Sequence, residues 1–313
     1  MIKLIINLKN NPMYKIPMFT HLCTFANQYA NSFLKTDNIE NPKNNNLLTG
    51  FTNLDLFTNH FQPSRLVIIG GVQEMGTSSF ILTLIANMAI KYKYETAIFS
   101  SNSNEEKTLQ RLNSIVTEIP FEKINNKTLS EENKKLISEK IKYENFDSLY
   151  FSDFPFRSIA EIEDVLNYYP ENLIQIMFID AIENIGWKRN DKAGKILNKR
   201  QLTEITARLK LLAEKFNTLI IVGFTLSSKH SEKRDNYRPS LQQLQNTAPI
   251  GNFADLVLLL YRPEYYKISD WEDEKPTNDE AEICIVKNNF GPCEDIRISF
   301  NRYCRKFENL KNK

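Results

Sequence analysis

The sequence predicts an α/β protein with a mostly parallel, twisted sheet, helices on both of its faces, and an antiparallel hairpin at the C-terminal end. Apolar runs of five to seven residues recur from Leu47 onward: "RLVIIGG", "TAIFSS", "SLYFSD", "IQIMFID", "LIIVGFT" and "DLVLLLY". Strands that are apolar along their whole length are what a sheet covered on both faces requires. Helical stretches, among them 77 to 92 and 103 to 116, alternate with these runs. At the end of the chain "EAEICIVKN" and "EDIRISFN" flank a Gly-Pro turn, which gives the hairpin.

Composition narrows the class. The 313 residues are 42% hydrophobic, enough to fill a substantial core in one large domain or two small ones. Lys+Arg 40 against Asp+Glu 38 leaves a net charge of +2, so attraction to nucleic acid has to come from local clusters. Cys23, Cys284, Cys293 and Cys304 form no CxxC pair, and His21, His60 and His230 add no metal-ligand spacing; a reduced, cytoplasmic protein without structural metal is expected. No stretch approaches the ~18 apolar residues of a spanning helix, and no secretory leader is visible, so membrane association is not expected.

In chain order, residues 17 to 36 come first, with Phe19, Leu22, Tyr29 and Phe33 at helical spacing behind Pro17. The Asn-rich "DNIENPKNNN" that follows is aperiodic and separates this amphipathic helix from the rest, which divides the chain into an arm (1–46) and a main domain (47–313). Periodicity reveals a buried face and not what covers it, so the helix packs either on its own domain or on a neighbour.

Next comes "GGVQEMGTSSF", residues 70 to 80. Gly71, four residues, Gly76, then Thr77 and Ser78 reproduce the G-x-x-x-x-G-K-[ST] phosphate-loop frame in every position but the lysine. The stretch lies between a buried strand and a helix, where backbone N–H groups and the helix N-terminus face an anion. The bland alternative is an ordinary strand-to-helix turn.

The wider context resembles a known family. "LLTGFTNLDLFTNHFQPSRLVIIGG", "EMGTSSF", "AIFSSNSNEEKTLQRL", "IMFIDAIENIG", "FADLVLLLYRPEYY" and "VKNNFGPCEDIRISFN" resemble, in order and spacing, the C-terminal motor domain of DnaB-type replicative helicases, over about residues 47 to 308. The resemblance implies a RecA-like P-loop fold, a six-membered ring around single-stranded DNA, and ATP held between neighbouring subunits. It makes the helix at 17 to 36 similar to the linker helix that docks on an adjacent subunit. The collar domain that precedes this helix in the family is not expected in the roughly sixteen residues before it.

Carried over position by position, the resemblance places the phosphate-binding lysine on Thr77, the Mg-binding hydroxyl on Ser78, and the water-activating glutamate on Asn102. The Walker B aspartate is Asp180, the sensing glutamine falls on Thr225, and the arginine finger falls on Asn289, with Lys287 and Gly291-Pro292 retained. Gly71, Gly76, Thr77, Ser78 and Asp180 are then what is left of a nucleotide site. A lysine at the phosphates contributes on the order of 4 kcal/mol per contacting charge at intermediate dielectric; Thr77 offers a neutral hydroxyl, and Glu74 adds a negative charge. An amide at 102 takes no proton from water, and an amide at 289 stabilises no transferring phosphoryl group. Asp180 alternatively survives as a cap or hydrogen-bond acceptor.

Two basic clusters complete the inventory. "GWKRNDKAGKILNKRQ" carries Lys188, Arg189, Lys192 and Lys195, and "SSKHSEKRDNYRPS" carries Lys229, Lys233 and Arg234. In the resembling family both face the ring channel, so they are candidates for phosphate contact on single-stranded DNA; uniform Lys/Arg runs also occur as solvated loops. Three functions stand: a non-hydrolysing DnaB relative that associates with itself or with an active helicase, an ATP-driven helicase with an unorthodox site, and a single-stranded nucleic-acid binder. No cofactor is expected under the first, and ATP with Mg²⁺ enters only if the altered loop still binds it.

Overall fold

The structure is a computed structural model that describes residues 46–100, 105–143, 148–151, 158–170, 172–186, 197–227 and 237–310. Outside the described residues lie the helix expected at 17 to 36 with Phe19, Leu22, Tyr29 and Phe33; Asn102; the 188–195 basic residues; and Lys229, Lys233 and Arg234. One compact unit begins at Asn46.

Its elements in chain order are α1 (Thr52–Phe57), β1 (Leu66–Val72), α2 (Thr77–Ile85) continued by a π-helical turn (Ala86–Lys91), β2 (Thr96–Ser100), α3 (Glu105–Thr117), α4 (Phe121–Asn125) and α5 (Glu131–Tyr143). There follow β3 (Leu149–Phe151), α6 (Ile159–Tyr168), β4 (Ile176–Asp180), α7 (Lys199–Lys215), β5 (Leu219–Leu226) and α8 (Leu241–Thr247). The chain then adds β6 (Leu256–Tyr261), β7 (Glu280–Asn288), β8 (Asp295–Asn301) and β9 (Lys306–Asn309).

These strands join one sheet in the order β3-β2-β4-β5-β1-β6-β7-β8-β9. From β3 to β6 neighbours run parallel, and from β6 to β9 antiparallel. Every residue of β1 and of β6 is buried, as expected for strands with helices or loops over both faces. The chain leaves β1 toward β2 on one side and returns through β5 to β6 on the other. Such a reversal opens a crevice at the carboxyl ends of the strands, where open α/β sheets bind ligands. Register brings specific residues to that edge: Gly71 lies opposite Thr225, and Ser100 opposite Asp180.

Helices start where local chemistry supplies the missing acceptors. Ser158 with Glu161 caps α6 and Asn198 with Gln201 caps α7, each as a reciprocal capping box. Along α2, every residue from Ser79 to Ile85 is buried, so the helix is enclosed on all sides after its first two residues.

The expected hairpin is present, but it is followed by β9, too short to stand out in the sequence. Phe307 of β9 is 1% exposed. Its ring meets Phe80 of α2 edge-on at 5.5 Å and Phe300 of β8 at 4.6 Å. The turn between β8 and β9 is held from its other side by Phe121 N–H donating to Tyr303 O (2.9 Å), Cys304 Sγ to Glu118 O (3.0 Å), and a Lys306–Glu118 ion pair (2.7 Å). A turn far away in sequence is thereby fixed beside the loop that follows β1.

Candidate functional site

The loop between β1 and α2 has the backbone of an anion cradle. Glu74 and Gly76 take left-handed conformations, φ 66° and 103°, and α2 begins at Thr77 with no side chain capping its free N–H groups. Those N–H groups therefore face the crevice with the positive end of the helix dipole behind them. Thr77 does not reach outward as a lysine would. A Cβ added to Gly71 would lie 2.7 Å from its Oγ1, so the hydroxyl folds back over the end of β1.

Above the loop lies a cavity of about 440 Å³. Gly71 to Glu74 and Gly76 to Ser79 form its floor, and Thr225 lines one wall. The remaining walls are Phe300 and four arginines, Arg111 from α3, Arg262 just after β6, and Arg302 and Arg305 from the β8–β9 turn. The sequence reasoning located the loop and Thr225 and missed all four cations. Arg262 carried a usable signal, because it directly follows the apolar strand "LVLLLY" at its carboxyl end, the edge where such sheets bind ligands. Arg302 and Arg305 carried none, since only the packing of β9 on α2 brings them there.

Each cavity arginine has an acid within electrostatic reach, at differing strength. Arg302 is paired with Glu264 (2.8 Å) and Asp279 (2.9 Å), whereas the ion pair of Arg305 with Glu122 is longer, at 3.4 Å. Burial, then repulsion from Arg305, hold the Arg111 guanidinium below its ordinary value against the pull of Asp180. Burial also lowers Arg262, with Arg302 repelling it and Glu264 and Asp279 opposing the shift. The Nε of Arg262 is buried with no hydrogen-bond partner among the described residues, while its guanidinium lies 4.2 Å over Phe300. Among the described residues, the one carboxylate lining the cavity is the exposed Glu74.

Behind the loop, the Ser78 hydroxyl and Asp180 carboxyl are hydrogen-bonded, and burial pushes the Asp180 carboxyl above its ordinary value in spite of Ser78 and Arg111. Glu183, three residues on, is also raised by burial. Its Oε1 accepts from the Thr225 backbone N–H at 2.6 Å, and its Oε2 is buried without a partner among the described residues. Sequence reasoning passed over this second acid. By donor type, Ser78 and Asp180 suit Mg²⁺, a hydroxyl and a carboxylate side by side.

Asn289 lies elsewhere, exposed just past the end of β7, its N–H bonded to Asp255 O at 3.0 Å. Lys287 is occupied with the carbonyls of Gly251 (3.0 Å) and Asn252 (3.3 Å). Neither lines the cavity of its own chain. A separate group, Glu282, Cys284 and Asp295, is bridged by Arg238, 2.8 Å from Glu282 and 3.7 Å from Asp295.

With this geometry in view, comparison with known proteins is decisive. Residues 46–309 match the family described as the DnaB-like helicase C terminal domain. The chain belongs to this family. This DnaB-like chain is 32% identical over 265 residues to a probable replicative DNA helicase of Trieres chinensis, covering 83% of this chain and 56% of that protein. It is 26% identical over 286 residues to the replicative DNA helicase DnaC of Bacillus subtilis (strain 168), covering 88% and 60%. The DnaB-like chain thus spans little more than half the length of these relatives.

Among solved structures, it is similar to one described as an ATPase domain, with TM-score 0.72, 22% identity, and coverage of 92% of this chain and 98% of that one. It is also similar to a DnaB-like replicative helicase whose structure concerns its interactions with primase, with TM-score 0.76, 20% identity, and coverage of 99% and 74%. These likenesses establish the RecA-like fold of the DnaB-like domain. Among its described residues, no helix is long and apolar enough to cross a membrane.

Proposed function

We propose that the chain is a non-hydrolysing member of a DnaB-type helicase assembly, joining copies of itself or an active helicase. The observation that carries this reading is an arginine-lined cavity over an altered phosphate loop whose one lining carboxylate, among the described residues, is Glu74. Thr77 folds over Gly71, the lining carboxylate, Glu74, is exposed, and the sequence puts amides at 102 and 289, where base and finger are required. Losses within one catalytic unit do not add simply, yet each of these removes a different component of phosphoryl transfer.

The family association supports the assembly role, and the helical spacing of Phe19, Leu22, Tyr29 and Phe33 in the sequence of the arm supports a subunit contact. If a triphosphate enters with Mg²⁺, Ser78 and Asp180 are the residues that would hold the metal, which supplies charge neutralisation. The basic clusters at 188–195 and 229–234 are proposed to contact the phosphates of single-stranded DNA. A second reading, an ATPase with an unorthodox site, is favoured by one observation: the arginines around the cavity return the positive charge that Thr77 removes.

The assembly role is tested by sedimentation and pull-down of the full chain with an active DnaB-type hexamer, with and without ATP. A stable complex is expected in both conditions. A chain that is strictly monomeric and ignores the hexamer would contradict the proposal.

A further inference from the structure

We propose that the phosphate-binding charge of this site has moved from the loop to the β8–β9 turn, so that Arg305 and Arg302, together with Arg262 and Arg111, hold the triphosphate of a nucleotide without a loop lysine. The inference rests on reading the cavity as a nucleotide site, and it is independent of whether that nucleotide is hydrolysed.

Three features converge on an anion. The N-terminus of α2 opens into the same cavity that the four arginines line, so helix dipole and side-chain charge point at one volume. Like charges are held together there at a cost, Arg305 against Arg111 and Arg302 against Arg262. The Arg262 Nε is buried and lacks a partner among the described residues although its guanidinium is fixed over Phe300. A bound polyanion offsets the like-charge repulsion, and perturbed charges clustered in a cleft are a mark of binding sites.

The turn is also rigid enough for the task. Arg305 stacks 4.3 Å over Phe121, Arg302 is oriented by Glu264 and Asp279, and Phe307 anchors the strand that follows on Phe80. Because guanidinium groups offer planar, bidentate donors, they suit phosphate oxygens at least as well as the missing ammonium. The size is adequate too, since about 440 Å³ lies within the range of small-molecule sites.

The test is calorimetric titration of the full chain with ATP and, separately, with inorganic triphosphate, at low and moderate salt. Saturable binding of both ligands is expected, weakening as salt rises. Arg305→Ala and Arg302→Ala should each reduce affinity for both by roughly tenfold, and Arg305→Lys should retain part of it. Lys135→Ala, an exposed charge change on α5, should leave affinity within about twofold, and thermal melts confirm that each variant is folded. Absence of binding to the wild-type chain at millimolar ligand would overturn the proposal. So would ATP affinity unchanged in folded Arg305→Ala and Arg302→Ala variants, or ATP binding with no response to inorganic triphosphate, which would place recognition on the nucleoside. Phosphate release, measured in parallel, bears only on the non-hydrolysing reading and leaves the arginine assignment intact.

Discussion

Phe307 is where the account of the fold and the account of the site depend on the same side chain. It is 1% exposed, with its ring 5.5 Å from Phe80 and 4.6 Å from Phe300 and its edge 3.0 Å from where a Cβ on Gly76 would be. Truncation to Ala removes a fully buried ring and leaves a cavity between α2 and the β8–β9 turn, a change that costs about 3–5 kcal/mol in well-packed cores. The turn keeps its polar anchors on α4 and on Glu118 just before it, so partial collapse places the expected cost near the lower end, about 3 kcal/mol.

Phe307→Leu keeps much of the volume and loses the aromatic contacts, for about 1–2 kcal/mol. Tyr303→Ala, in the same turn but 70% exposed, should lie within about 0.5 kcal/mol of wild type. Urea denaturation followed by circular dichroism reads all three as midpoint shifts at constant slope. A Phe307→Ala variant that loses less than about 1 kcal/mol, well below the range for such truncations, would refute the reasoning, because β9 would then not be what fixes the turn against α2.

Three further outcomes are expected. Thr77→Lys alone leaves phosphate release at background, because base and finger are still amides; rescue by this one change would mean that Asn102 and Asn289 are misassigned. Glu183→Gln stabilises the fold at neutral pH. Its carboxyl is raised by burial, so the folded state binds the proton more tightly than the unfolded chain, and stability falls as pH climbs from the ordinary carboxylate range through the raised value. Denaturation midpoints from acid to neutral pH should show that slope in wild type and a flatter one in the variant; identical slopes would count against it. Deleting residues 1 to 45 weakens association and leaves the remaining domain cooperatively folded, as sedimentation and thermal melting would read; a truncated chain that fails to fold would mean that the arm packs on its own domain.

How much of this was legible in the sequence follows from the range of the interactions involved. Strands β1, β2, β4, β5 and β6 lie inside the sheet, and continuous apolar runs such as "LVIIG" and "LVLLLY" announced them directly. The glycine frame of the loop, Gly71 and Gly76 ahead of Thr77 and Ser78, is local and equally plain, with threonine where the phosphate-loop pattern has lysine. β9 was not, because "KFEN" is too short for a period and owes its place to Phe307 meeting α2. With β9 unseen, Arg302 and Arg305 were surface residues near the end of the chain, and the cavity looked stripped of positive charge. Glu183 was overlooked for a related reason: its tie to Thr225 crosses from β4 to β5, a contact that exists only once the sheet is assembled.

A site that holds an anion without turning it over is separated from a working ATPase by steady-state phosphate release. The full chain is assayed with ATP, Mg²⁺ and single-stranded DNA, beside an Asp180→Asn preparation that controls for contaminating ATPase. The same low release is expected from both. Turnover near ~1 per second or faster in the wild-type chain, abolished by Asp180→Asn, would contradict it and establish the arginine-lined cavity as a working active site.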